Sequence, residues 1–228
     1  MSDPLDAATE RTLVDWIETR VGAGDPAHAR GYQGSVYLYE GHDHRLIVKV
    51  APGRGAHGWL QRWMLRREFD VYGRLSGFAG SPRCHGLLRN RYLVLDYVDA
   101  ASLRNAPLAD PGTYFDTLLR YIKELHDRGV AHADLKRRAN LLVIDGRHSC
   151  LVDYGAAVVR KPGFAPINRY LYRLAKRFDF NAWAKLKYDG RFEDMTAADR
   201  VYYHRTRIER VARALKRFYL KLKSRFAG

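Results

Sequence analysis

The feature that most limits the fold of this chain is a set of polar residues that interrupt apolar segments in a fixed order. Lys49 lies between two valines in a strand-like run, and Glu68 follows nineteen positions later in a helical pattern. Asp134, Asn140 and Asp153 come later, beside short apolar runs. A lone strand lysine is usually a solvated edge residue, and a lone Asp-Tyr-Gly is usually a simple turn. Together and in this order, they predict one functional site.

The first part of the chain has the pattern of a small sheet with helices. Apolar residues at helical spacing predict a helix over 9–21. Two strands, Ser35–Tyr39 and Arg45–Val50, are predicted to form a hairpin. The glycine-rich stretch Ala51–Gly58 predicts irregular structure, and a helix is expected from about Trp59 to Leu75.

The second part is mostly helical. The predicted elements are strands near Leu87–Leu88 and Tyr92–Tyr97, a helix over 113–128, strands at Leu141–Ile144 and Cys150–Val152, and a final long helix from about Thr196. Thr196 and Asp199 form a candidate capping box for that last helix. We therefore expect an α+β fold with an N-terminal lobe over 1–98 and a C-terminal lobe over 99–228.

The segment His132-Ala133-Asp134-Leu135-Lys136 carries the strongest chemical signal, together with Asn140 and Asp153. Asp153 and Asn140 offer the oxygen ligands that Mg²⁺ (or Mn²⁺) prefers. Asp134 is the candidate to orient an acceptor hydroxyl and take its proton. Lys136 could neutralise charge on a transferred phosphoryl group. These are the parts that phosphoryl transfer from ATP requires.

With Lys49 and Glu68 upstream, the sequence resembles the protein-kinase-like superfamily. The resemblance implies a bilobal fold with a small antiparallel sheet in the N-terminal lobe and, here, a truncated helical C-terminal lobe. In the superfamily the strand lysine holds the ATP phosphates and pairs with the helix glutamate. The same resemblance implies further nucleotide-binding residues: Gly31 and Gly34 in a glycine-rich loop, Val36 with the Val48 region above the adenine, Leu95 as gatekeeper, Asp96 and Val98 at the hinge, and Leu142 below.

Three departures separate this sequence from regulated protein kinases. Ala133 stands where they carry an arginine that meets a phosphorylated loop. Asn140 follows Asp134 by six positions, one more than in the family pattern, so we expect the catalytic loop to bulge. No Ala-Pro-Glu motif follows Asp153, and the chain leaves little room for peptide-docking helices.

These departures resemble atypical bacterial kinases: the lipopolysaccharide core sugar kinases (Kdo and heptose kinases) and, more distantly, RIO-like kinases. The His-Ala-Asp-Leu motif resembles that of the Kdo kinases, whereas Lys136 is typical of Ser/Thr protein kinases. The resemblance implies phosphorylation of a hydroxyl, most simply on a lipopolysaccharide core sugar. A RIO-like Ser/Thr kinase and a nucleotide-binding pseudokinase scaffold are the alternatives.

Positive charge is concentrated in the last third of the chain. Residues 160–228 hold 19 Lys and Arg against 6 Asp and Glu, a net charge of +13, whereas residues 1–159 have +2. Over 205–226 the basic residues share a helical pattern with an apolar stripe. This pattern predicts either a helix packed on the body or attachment to an anionic membrane surface. Nucleic acid is a less favoured partner, because no recognition motif is present.

The sequence also predicts where the protein works. Its first residues lack the basic and apolar regions of a secretory signal, and no apolar run approaches the length of a membrane span. Two cysteines are too few for a disulfide framework. We expect a cytoplasmic protein, with the inner face of the cytoplasmic membrane as its site if the basic segment attaches there.

Overall fold

The N-terminal lobe is built on a five-stranded antiparallel sheet in the order β1-β2-β3-β5-β4. A computed structural model describes residues 5–27, 29–31, 34–41 and 44–204. The five strands are β1 (Ala29–Gly31), β2 (Gly34–Glu40), β3 (Arg45–Val50), β4 (Cys84–Leu88) and β5 (Tyr92–Asp96). Side chains alternate along β3, so Val48 is buried on one face while Ile47 and Lys49 line a cavity on the other. The predicted hairpin of β2 and β3 is confirmed.

One face of this sheet is covered by α1 (Ala7–Ala23). The Asp6 side chain caps the helix by accepting from the Ala8 and Thr9 N–H groups, and Gly24 ends it in the left-handed conformation. Leu13 and Ile17 are buried against the Val48 side of the sheet. The helix therefore holds β3 from the side opposite to the cavity.

The other side carries α2 (Gly55–Arg74), which begins earlier than the sequence predicts. Gly55–Gly58, expected to be irregular, form its first turn. The reason is close packing: a Cβ on Gly58 would lie 1.9 Å from the Gly53 carbonyl oxygen. This local backbone approach requires glycine at position 58 despite its low helix propensity.

The C-terminal lobe is mostly helical. Its elements are the strands β6 (Ala101–Ser102), β7 (Val130–Ala131), β8 (Leu141–Ile144), β9 (His148–Leu151) and β10 (Val158–Val159), and the helices α3 (Pro111–Asp127), α4 (Pro166–Lys187) and α5 (Ala197–Arg200). Strands β6, β8 and β9 form one small sheet, and β7 pairs with β10. Helices α3 and α4 are joined in the core, where the fully buried Trp183 donates to the Phe115 carbonyl at 2.8 Å.

The prediction of one long helix from Thr196 is wrong over its first turns, because α5 ends at Arg200. The predicted cap is half formed: the Thr196 hydroxyl accepts from the Asp199 N–H at 3.2 Å. The Asp199 carboxylate does not complete a capping box. It instead accepts from the Tyr188 hydroxyl and pairs with Lys187 at 2.8 Å.

The basic segment 205–226 lies outside the described residues, so its predicted amphipathic helix stays a prediction. In the part of the chain that the structure describes, no helix combines the length and the apolar character needed to cross a membrane.

Candidate active site

A cavity of about 540 Å³ lies between the two lobes. Its walls come from β2, β3, α2, β5, the connector after β5 and the loops before β8 and after β9. The residues predicted from the sequence that line it are Gly34, Val36, Lys49, Leu95, Asp96, Val98, Asn140, Leu142 and Asp153. Residues more than one hundred positions apart in the chain therefore meet in one cleft.

Lys49 is the link between the two lobes. Its Nζ lies 2.6 Å from Oε1 of Glu68 and 3.4 Å from Oδ1 of Asp153. Burial would lower the pKa of Lys49, but the two carboxylates outweigh it and hold that pKa above its usual value. Burial would likewise raise the pKa of Asp153, but the charge of Lys49 and the Gly155 backbone N–H hold it below its usual value. Both groups are charged at neutral pH.

Glu68 is completely buried and has two partners for one oxygen. Its Oε1 accepts from Lys49 and, at 3.2 Å, from the backbone N–H of Tyr154. The Tyr154 ring packs between Tyr72 of α2, at 5.2 Å between centroids, and His132, at 4.9 Å. One carboxylate thus fixes both the strand lysine and the segment that carries Asp153.

The loop from His132 to Asn140 brings Asp134 and Asn140 together despite the extra residue. Residues Arg138–Asn140 form a 3₁₀ turn, in which the Asn140 N–H donates to the Arg137 carbonyl at 2.9 Å. This turn lies between Asp134 and Asn140, where the bulge was predicted. The Asn140 amide nitrogen then donates to the Asp134 backbone carbonyl at 3.1 Å and lies 3.3 Å from its Oδ2.

The start of this loop is held by Asp179 of α4. The carboxylate, fully buried, accepts from the backbone N–H groups of His132 and Ala133, both at 2.8 Å. It also contacts the His126 ring at 3.0 Å. Ala133 has a φ of 67°, a left-handed conformation that costs a residue with a Cβ roughly 1–3 kcal/mol. The two charge-assisted hydrogen bonds offset that cost.

The cleft offers hard oxygen ligands for a cation. Among residues 5–204 as far as they are described, no cluster of three or more His, Cys, Asp or Glu could hold a metal ion. Mg²⁺ at nucleotide sites commonly uses one or two protein ligands and takes the rest from phosphates and water. Asp153 as a carboxylate fits this use. Asn140 fits it through its amide oxygen, because its nitrogen is used towards Asp134.

The residues predicted to meet the adenine line the cavity, with one change. Ile47, which is two residues before Lys49, lines the cavity where the Val48 region was expected, because Val48 faces α1. Asp96 donates its N–H to the Arg83 carbonyl at 2.9 Å, and the Val98 carbonyl accepts from Ala100 at 2.8 Å. An adenine edge would therefore meet the Asp96 carbonyl oxygen and the Val98 N–H group.

The two predicted glycines differ in what the structure describes. Gly34 lines the cavity with a φ of 143°, and a Cβ there would lie 2.1 Å from the Val50 carbonyl oxygen. Gly31 pairs with Gly34 through the β1–β2 register, and residues 32–33 between them lie outside the described residues. Contact of Gly31 with a nucleotide stays a prediction.

Sequence reasoning missed two residues of the site, Arg137 and Asp179. It also proposed a role for Lys136, whose position in the structure does not support contact with the cavity. Lys136 is exposed and is not among the described residues that line the cavity, so its proposed role stays a prediction. Arg137 does line the cavity, with its guanidinium 3.7 Å from Oδ2 of Asp134. Asp179 was the other omission. It had a signal, since it is the one acidic residue between Tyr154 and Tyr188.

Comparisons with known proteins find the fold but no close relative. No protein family and no curated protein matches the sequence. Among solved structures, the Rio2 kinase from Chaetomium thermophilum matches with a TM-score of 0.57 at 15% identity, over 88% of this chain and 70% of that one. The same kinase as an ADP/Mg²⁺-phosphoaspartate complex matches with a TM-score of 0.55 at 15% identity, over 88% and 68%. The chain therefore has a protein-kinase-like fold.

Proposed function

We propose that this protein is an ATP- and Mg²⁺-dependent kinase that transfers the γ-phosphoryl group to a hydroxyl. The observation that carries the proposal is the Lys49–Glu68–Asp153 arrangement at a cleft that Asn140 also lines, with Asp134 in contact with Asn140. ATP and Mg²⁺ would supply the transferable group and neutralise its charge. The kinase-like fold, shared with a kinase solved with ADP and Mg²⁺, supports the same assignment.

Each residue has a role that its contacts permit. Lys49, held by Glu68, would bind the nucleotide phosphates. Asp153 and Asn140 would hold the cation. Asp134, kept in place by the Asn140 amide, would orient the acceptor hydroxyl and accept its proton as the new bond forms.

The acceptor that we propose is a hydroxyl of a lipopolysaccharide core sugar, met at the inner face of the cytoplasmic membrane. The His-Ala-Asp-Leu segment and the charge of residues 160–228 support it. A second candidate is a RIO-like Ser/Thr protein kinase, which the structural likeness to Rio2 favours. A pseudokinase scaffold is disfavoured because the sequence retains Lys49, Glu68, Asp134 and Asp153, although the longer spacing from Asp134 to Asn140 argues mildly for it.

The test is transfer of label from [γ-³²P]ATP with lipopolysaccharide, membrane extract and generic protein acceptors side by side. We expect Mg²⁺-dependent transfer by the unmodified chain and none by Asp153→Asn. Hydroxylamine treatment of the labelled chain would reveal an aspartyl phosphate, as the phosphoaspartate of the Rio2 complex suggests. Nucleotide binding without transfer to any acceptor would favour the scaffold, and label on protein alone would favour the second candidate.

A further inference from the structure

The segment after Asp153 presents exposed apolar side chains on the surface of the C-terminal lobe. Phe164 is 93% exposed, Ile167 76%, Tyr170 60% and Leu171 47%. The last three follow one another at steps of three and one along α4, so they lie on one side of its first two turns. Exposed apolar residues that are grouped in this way mark an interaction surface. We call this group the α4 face.

The α4 face is a fixed part of the fold. Asn168 donates to the Val159 carbonyl at 2.9 Å and accepts from the Lys161 N–H at 2.7 Å. Arg169 donates to the Gly163 carbonyl at 2.7 Å. These contacts hold the loop that carries Phe164 against the first turns of α4, so the exposure of the ring is built into the structure.

The segment that carries these apolar side chains is strongly basic. Between Asp153 and Asp179 the chain has no Asp or Glu, and it has six basic residues: Arg160, Lys161, Arg169, Arg173, Lys176 and Arg177. An apolar patch on a cationic segment is complementary to a surface that is anionic outside and apolar within. A bilayer with anionic lipids has both properties, and each Lys or Arg near it adds about 1 kcal/mol.

Other occupants fit these observations less well. A nucleic acid would gain from stacking on Phe164 or Tyr170, but Ile167 and Leu171 have no ring to offer a base. An identical face of a second copy would bring six cations against six. The segment 205–225 of the same chain holds nine basic residues and one acidic residue, so charge also disfavours its docking here.

The α4 face is directly connected to the candidate active site. Strand β10 precedes this segment and pairs with β7, which leads into His132. On its buried side, α4 packs Tyr172 and Ala175 against Ala131 and supplies Asp179 to the catalytic loop. Helix α4 therefore connects this face to the loop that carries Asp134.

We propose that the α4 face docks the enzyme on an anionic lipid bilayer, so that its hydroxyl acceptor is presented at the membrane surface. The proposal deepens the proposed function by naming a membrane-held acceptor, and it rests on that function for its meaning. It concerns a different part of the chain from the 205–226 segment, and the two are tested separately.

The first experiment places a probe on the face. Cys84 and Cys150 are buried, so Ile167→Cys in the full chain offers one exposed thiol for an environment-sensitive fluorophore. The matched control is Val201→Cys, at a residue 61% exposed that directly follows α5. With phosphatidylglycerol/phosphatidylcholine vesicles we expect a blue shift, and quenching by brominated lipid, at position 167 and not at 201. With phosphatidylcholine alone, neither probe should respond.

The second experiment removes the apolar side chains. Phe164→Ser with Ile167→Ser should weaken vesicle partitioning roughly tenfold, as expected when buried CH₂ groups are lost from an interface. Val201→Ser should leave it unchanged. ATP binding should be unaffected in both variants, since these residues are not among those that line the cavity.

Several outcomes would overturn the proposal. Vesicle binding without quenching at position 167 would assign the binding to another part of the chain. A blue shift at 167 without vesicles would mean that protein covers the face. A response to RNA or to an acidic protein, and none to vesicles, would identify a different partner. If docking occurs without phosphoryl transfer to any acceptor, the kinase proposal fails and the docking surface stands.

Discussion

The two halves of the cleft are held together by different kinds of contact. In the N-terminal half the buried Glu68 is paired with a cation, Lys49, at 2.6 Å. In the C-terminal half the equally buried Asp179 accepts from two backbone N–H groups and meets the His126 ring. The N-terminal half is thus held by an ion pair of Glu68 with Lys49, a side chain that also faces the cavity. The second is set by main-chain hydrogen bonds away from it.

This difference indicates which residues can be changed while the loop from His132 to Asn140 keeps its conformation. A side-chain pair can be altered while the backbone stays in place. A carboxylate that holds a left-handed Ala133 cannot be altered without releasing the loop. The predictions below test this contrast, beginning with the largest expected effect.

Asp134→Asn should lower kcat about 10²–10⁴-fold, the usual contribution of a general base, with ATP affinity nearly unchanged. The residue lies on the fixed loop, so the backbone should not move. Steady-state kinetics and nucleotide titration measure the two effects. Asp145→Asn, at an exposed turn residue, is the matched control. An equal loss of ATP affinity would make Asp134 a metal ligand or a structural residue.

Lys49→Met should remove activity and also destabilise the fold. It leaves the Glu68 carboxylate buried without its cation, and breaking a buried pair costs about 3–5 kcal/mol. The free energy of unfolding by urea is the measurement. Met at both 49 and 68 should recover much of the stability but no activity. An unchanged unfolding energy in the single variant would mean that water reaches Glu68.

Asp179→Asn should destabilise the fold by about 1–3 kcal/mol. The two backbone N–H groups now donate to different carboxylate oxygens, and an amide has only one oxygen to accept them. Turnover should fall as well, since the loop from His132 loses its anchor. The control is Asp194→Asn, at an exposed ion pair worth at most about 1 kcal/mol. Full activity in Asp179→Asn would show that the 3₁₀ turn alone holds the loop.

A matched pair of variants decides which cation serves the transferred group. Arg137→Gln should lower kcat roughly tenfold, a change of about 1.4 kcal/mol. Lys136→Gln should lower kcat less than Arg137→Gln, if Lys136 stays exposed to solvent during turnover. The reverse ranking in the same assay would restore the sequence-based role of Lys136.

The smallest expected effect is on stability in acid. The pKa of Asp153 is held below its usual value, so its contribution is present above about pH 3.9, the ordinary aspartate value, and is lost as pH falls through the lower folded pKa. Asp153→Asn should therefore lose stability less steeply as the pH falls below about 3.9, because at most about one proton fewer is taken up on unfolding. If the unmodified chain and Asp153→Asn lost stability identically in acid, the contact of Asp153 with Lys49 would not be the cause of that loss.

Much of the site could be predicted from the sequence because its motifs are local. Lys49 shows as a cation in a strand, Glu68 as an acid on the next helix, and Asp134, Asn140 and Asp153 as polar residues beside short strands. The wrong predictions were of another kind: the start of α2 at Gly55 and the end of α5 at Arg200. The first involves a close backbone approach of Gly58 to Gly53, and the second involves contacts of Asp199 with side chains at the end of α4, and neither is visible in residue periodicity.

The sequence by itself determined the α+β order of elements, the identity of the catalytic candidates and the uneven charge. Periodicity, residue chemistry and spacing are properties of neighbouring positions, and they can be read without coordinates. Only the tertiary structure decided that Asp179 holds the catalytic loop, that Arg137 and not Lys136 faces the cavity, and that Phe164 and Ile167 stay exposed. Those facts depend on which distant segments pack together, because burial and hydrogen-bond partnership are set by the whole fold.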